Sequence, residues 1–143
     1  MSLAWQAFAL TTVALFLKMI AVAVFQGIQR IKNRAFANPE DAALFAKGAA
    51  PLPRELPLVE RGQSVLRNDI ENIPIFLFLM LAYAQVGAWP MGAAIYGGVF
   101  VFARIVHSVA YINSRQPFRT LSYACGVTLM FIMSGQIVAA ALS

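Results

Sequence analysis

Three groups of side chains in this sequence have the types and spacing to do chemistry, and each lies inside or against an apolar run. The first is Glu60 to Asn72, ERGQSVLRNDIEN, which continues without a break into IPIFLFLMLAYAQVGA. At about 3.6 residues per turn, Glu60, Ser64, Arg67 and Glu71 fall on one helical stripe, with Asn68 beside them. The second is Arg104, His107 and Tyr111, which share a face through i,i+3 and i,i+4 spacing. The third is Arg119, Thr120 and Tyr123, with Arg30 at the end of another apolar run. Arginine binds carboxylates through two parallel donors, Asn68 can meet an amide, and Glu71 can receive an ammonium group. A ligand with two carboxylates, an amine and peptide groups suits this mixture. Glutathione is one such ligand, and the residue types alone leave other anions open. A free thiol has a pKa of about 8.5, and donors such as Arg119, Thr120 and Tyr123 would favour its thiolate.

The elements that must position these groups are membrane helices. The chain has 143 residues, of which 60% are hydrophobic. That is well above the roughly 45–50% of a soluble domain, and the mean hydropathy is +0.70. The apolar runs are continuous and longer than the alternating segments of about ten residues that build a membrane β-barrel. They predict an all-α integral membrane four-helix bundle in a single domain over residues 1–143, with spans at about 3–29, 60–87, 91–112 and 119–141. A single cysteine, Cys125, and a single histidine, His107, leave no material for an internal disulfide or a zinc site, so no metal is expected. Cys125 lies in an apolar run and reads as packing.

The first span has no basic leader and no small-residue cleavage site, so it reads as a retained helix. Lys18 inside it needs a carboxylate on another helix, and Asp69 or Glu71 lies at comparable depth. In the loop that follows, Asn38 reads as an N-cap, Pro39 as the first helical residue and Gly48 as the stop. Pro51, Pro53 and Pro57 form an extended connector, and the loop as a whole has the order to close over a site. Pro74 removes one backbone hydrogen bond from the second span and marks a place for a kink. Gly92, Ala93, Ala94, Gly97 and Gly98 allow close helix packing in the third.

The net charge of +5 matters less than its placement. Arg30, Lys32, Arg34, Lys47, Arg54, Arg61, Arg115 and Arg119 all fall in or beside the first and third connections, whereas the second connection is uncharged. That pattern fits membrane orientation and not nucleic-acid binding: both basic loops face the cytosol and both termini lie on the opposite side. Every polar group described above then converges on the cytosolic side.

At these residues the sequence resembles the family of membrane-associated proteins in eicosanoid and glutathione metabolism. Where the family's second-helix pattern is E-R-x-x-R-A-x-x-N-x-x-E, this chain reads Glu60-Arg61-Gly62-Gln63-Ser64-Val65-Leu66-Arg67-Asn68-Asp69-Ile70-Glu71. The likeness extends to Arg34 through Ala42, Arg67-Asn68-Asp69, Pro74 through Leu79, and His107-Ser108-Val109-Ala110-Tyr111. It covers most of the chain, from the first span to Tyr123. The resemblance implies a homotrimer of four-helix subunits that binds glutathione between neighbouring subunits near the cytosolic face. It carries glutathione binding to Arg30, Arg67, Asn68, Glu71, His107, Tyr111, Arg119 and Tyr123, with Arg119 beside the sulfur. From the family's endoperoxide isomerase it carries catalytic roles to Asp41 and to Thr120, which keeps a hydroxyl where that enzyme has serine. One departure is Ser64-Val65 in place of the family's Arg-Ala, which removes a ligand-side arginine.

The reading implied is a glutathione-dependent membrane transferase or peroxidase acting on a lipophilic small molecule from the surrounding lipid. Its narrower form is a prostaglandin-endoperoxide isomerase. A non-enzymatic lipid-binding accessory protein on the same scaffold would lack the glutathione set, and Arg67, Asn68, Glu71, Tyr111 and Arg119 argue against it. A small transporter would need an ionisable residue reachable from both sides, and the one-sided clustering disfavours that.

Overall fold

The computed structural model describes residues 2–143. The described residues form five helices and no strand: α1 (Leu3–Asn33), α2 (Pro39–Phe45), α3 (Pro57–Gln85), α4 (Pro90–Ile112) and α5 (Gln116–Leu142). Proline stands at the first or second position of α2, α3, α4 and α5. There its missing N–H has no intrahelical partner to lose and its fixed φ suits the helix. α1 ends on Arg34, whose φ of 48° is left-handed and whose N–H turns back to the Arg30 and Ile31 carbonyls. The helices outrun the apolar segments that announce them: α1 continues through Arg30 and Lys32, and α3 begins at Pro57. α3 is continuous through Pro74.

α3 and α4 pack against each other at the centre, with α1 against both and α5 against α4 and α3. Leu15, Phe76, Met80, Tyr83, Phe100 and Met133 are fully buried between them. Phe76 and Phe100 stack in parallel with centroids 3.6 Å apart. Glycine permits the close approaches. A Cβ on Gly97 would collide with Thr11 of α1, and one on Gly62 would sit 2.6 Å from Gln26 Cγ. Of the small residues expected at the α4 interface, Gly92, Ala93 and Gly97 are buried, while Gly98 faces open space.

The outer surface is apolar. Leu10, Phe16, Phe78, Phe102 and Phe131 are each more than half exposed. Three helices, α1, α4 and α5, are long and apolar enough to cross a membrane. α3 is not among them, because its first half carries Glu60, Arg61, Arg67, Asp69 and Glu71.

The first connection is folded back on α1. Leu52 N–H donates to the Phe36 carbonyl (2.8 Å), and Arg30 makes a bidentate pair with Glu55 (2.6 Å at its shortest). Phe36, Ala42 and Ala46 form a small core of their own beside this strap. α2 starts at Pro39 as the sequence predicts but stops at Phe45, before the positive-φ pair Lys47 and Gly48. Asn38 occupies the N-cap position without capping through its side chain, because its amide donates to the Asp41 carboxylate instead (3.1 Å).

Candidate functional site

The polar residues of the long helices sort into two neighbouring sets. The inner set is closed. Asp69 of α3 is completely buried and accepts from Lys18 of α1 through one oxygen. Its other oxygen accepts from Arg104 of α4, at 2.6 Å from Nη2 and 3.1 Å from Nε. Of the two carboxylates at the right depth for Lys18, the structure thus selects Asp69. Arg104 is 1% exposed, so three charges from three helices meet in one dry cluster. Removing any one of them would strand the others in a low-dielectric interior.

The outer set is open. Asn68 of α3, His107 and Tyr111 of α4, and Arg119, Thr120 and Tyr123 of α5 line a cleft of about 250 Å³. Helical geometry brings them together: one turn separates His107 from Tyr111, and one turn separates Arg119 from Tyr123. The short turn after Asn113 then sets α5 against the end of α4. Arg61 braces that end by donating to the Tyr111 carbonyl (3.3 Å). The Arg119 guanidinium carbon lies 4.8 Å from the centre of the Tyr111 ring, within cation–π range. The His107 and Tyr111 rings are 5.8 Å apart.

Apart from the Asn68 side-chain oxygen, which accepts from Arg104, the cleft's polar side chains are left unsatisfied by the protein. Among the described residues, no carboxylate lies within 4 Å of Arg119, and the hydroxyls of Tyr111, Thr120 and Tyr123 have no hydrogen-bond partner. Among the described residues, His107 Nδ1 is the one buried side-chain polar atom left without a partner. Buried polar groups are nearly always paired, so an orphan on a residue that lines a cleft marks a place where a partner from outside the chain could be met. Donors and a cation around a small open space suit an anionic sulfur and peptide groups. The donor set therefore fits glutathione.

Other sequence-predicted residues lie elsewhere. Arg67 and Glu71 are exposed on the outer face of α3, one helical turn apart. Arg30 is held by Glu55, and Asp41 sits on α2 with Asn38; neither lines the cleft. Arg104 shares its helix face with His107 and Tyr111, yet its guanidinium turns inward to Asp69 and Asn68. A larger groove of about 460 Å³ runs between α1 and α4, but Leu17, Val22, Phe25, Ile105 and Val109 make it almost wholly apolar. Half-buried Cys125 packs against the apolar core.

Comparison with known proteins bears on the whole chain. Prostaglandin E synthase of Equus caballus is 42% identical over 133 residues, covering 92% of this chain and 86% of its own length. Prostaglandin E synthase of Homo sapiens is 41% identical over 118 residues, 82% of this chain and 76% of its own. Microsomal glutathione S-transferase 1 of Homo sapiens is 38% identical over 130 residues, 87% of this chain and 84% of its own. Together with three helices able to cross a membrane, these likenesses make the chain an integral membrane protein. A family model matches residues 8–139, which include both the closed cluster and the open cleft, and the chain belongs to the MAPEG family.

Proposed function

We propose that this protein is a glutathione-dependent membrane transferase with peroxidase activity, acting on lipophilic electrophiles or lipid peroxides. One observation carries the reading: Asn68, His107, Tyr111, Arg119, Thr120 and Tyr123, drawn from three helices, line one cleft in which Arg119 has no carboxylate partner among the described residues. Glutathione supplies a thiol whose anion is the nucleophile. Arg119 lies where a sulfur anion would be stabilised, with Thr120 or Tyr123 as a second donor. Asn68, His107 and Tyr111 would hold the peptide portion. The relatives named for glutathione transfer and for prostaglandin E synthesis support the same chemistry.

The cleft is smaller than the roughly 300–1,000 Å³ of typical ligand pockets and is open on one side. Arg67 and Glu71, exposed on an otherwise apolar surface, also need a cover. Both facts favour a single domain of four membrane helices, α3 being the fourth, assembled as a homotrimer with glutathione between subunits. In that assembly Arg30, Arg67 and Glu71 complete the binding set. The basic first and third connections face the cytosol, and both termini lie on the far side.

Purified protein titrated with glutathione should develop thiolate absorbance and turn over a model aryl halide. Arg119→Ala should abolish the absorbance and lower turnover by about 10²-fold or more while leaving helix content and assembly unchanged. Undiminished turnover in that variant would reject the role of Arg119. Native mass spectrometry in detergent should return three chains; a monomer that binds glutathione at full affinity would reject the inter-subunit site.

A narrower reading, endoperoxide isomerisation, is favoured by the likeness to prostaglandin E synthases and by Thr120 standing next to Arg119 in the cleft. Asp41 would assist there only if a neighbouring copy brings α2 over the cleft. Turnover of a prostaglandin endoperoxide, lost in Asp41→Ala while aryl-halide conjugation is kept, separates this form from the broader one.

A further inference from the structure

The closed cluster and the open cleft are joined at one atom. Arg104 Nη2 donates both to Asp69 Oδ1 and to Asn68 Oδ1, at 2.6 Å each. A guanidinium carries donors only, so the end of the Asn68 amide that meets it must be the carbonyl. The amide nitrogen, on the same trigonal carbon, is then the free end, and Asn68 lines the cleft. Among the described residues that nitrogen has no protein acceptor. A half-exposed asparagine left to itself presents either end of its amide. Here one choice is removed by a guanidinium that cannot swing away: Arg104 is 1% exposed, Asp69 is 0% exposed, and Lys18 holds the other Asp69 oxygen.

We propose that Arg104, anchored by Asp69, is a positioning residue that orients Asn68 so that its NH2 donates to bound glutathione. Arg104 touches no ligand in this scheme; it acts through Asn68. The inference rests on the glutathione reading of the cleft and adds to it the reason a fully buried arginine stands behind it. Lysine is not equivalent to Arg104 here, because Nε and Nη2 together fix the guanidinium plane on Asp69 and so aim Nη2 at Asn68, whereas an ammonium has no second anchored nitrogen.

A double-mutant cycle on the assembled full chain tests this, with glutathione affinity read by calorimetric titration and not by turnover. Asn68→Ala should weaken glutathione binding about tenfold, the effect of one hydrogen bond to a ligand. Arg104→Lys should weaken it about as much, and the double variant should be no weaker than either single one. In parallel, KM for glutathione should rise in Arg104→Lys while kcat at saturation holds. Losses that add in the double variant, or unchanged affinity in Arg104→Lys, overturn the positioning role and leave the cleft reading standing. Unchanged affinity in Asn68→Ala instead overturns the assignment of Asn68 to the ligand, and this inference with it. Should Arg104→Lys fail to assemble, Asp69→Glu enters the same cycle, since it keeps both ion pairs but moves the guanidinium, with the same non-additivity expected.

Discussion

Two arginines on apolar helices, Arg104 and Arg119, meet opposite fates in this molecule. Arg104 is completely enclosed, with Nε and Nη2 donating to Asp69 and Nη2 also to Asn68. Arg119 is half-buried, with a tyrosine ring beneath it and no carboxylate in reach. A charge taken out of water must be paired or must wait for a partner. Arg104 is paired within the chain, and so it builds structure. Arg119 is left waiting, and so it is the one to expect at a ligand. The contrast teaches that satisfaction of donors, and not burial alone, separates a scaffold charge from a working charge.

That contrast can be broken or sharpened by substitution. The largest effect should come from Asp69→Ala, which strands Lys18 and Arg104 together. A loss of about 3–5 kcal/mol is expected for breaking a buried ion cluster by removing one partner. It should appear as a fall in thermal midpoint and in recovery of assembled protein from detergent. Normal stability in this variant would mean that the cluster is hydrated and the contrast unfounded. An intermediate effect is expected from Tyr111→Phe, which keeps the ring against Arg119 and removes only the hydroxyl. Glutathione affinity should fall by about tenfold or less with stability unchanged, as for one lost hydrogen bond. A Tyr111→Leu variant that behaves identically would show the ring to be idle. The smallest effect should come from Arg54→Ala, which removes the surface pair between exposed Arg54 and half-buried Glu60. Exposed pairs are screened by water and salt, so neither the thermal midpoint nor glutathione affinity should move measurably.

Much of this arrangement was legible in the sequence, for reasons that differ from place to place. Helices show through apolar periodicity, and Pro39 marks the start of α2, whereas Pro57, expected in the extended connector, and Pro90, expected in a turn, instead open α3 and α4, where the missing proline N–H costs nothing. α1 and α3 run further than their apolar segments because a helix persists where lipid ends, and hydropathy is silent there. The cleft was legible because His107 with Tyr111 and Arg119 with Tyr123 are fixed by one-turn spacings on single helices. The direction of Arg104 was not, since a helix face spans a wide arc and only the neighbour opposite decides which way a long side chain leans. The pairing of Arg30 with Glu55 was hidden for another reason: the connector has no period, so nothing in it announces which residue returns to α1. The capping role expected for Asn38 gave way to a local competitor, the Asp41 carboxylate three residues on.

The uneven hydropathy of α3 bears on how the chain enters a bilayer. Under the proposed topology this helix takes Asp69 into the apolar layer together with Lys18 and Arg104 from its neighbours. It therefore has no independent route across: α1 is made before it and can wait with its lysine, but the arginine emerges only when α4 is synthesised. Integration of α3 is then a joint event, completed late in translation. A chain truncated ahead of α4 should leave this segment accessible to water-soluble labels that the full-length protein excludes.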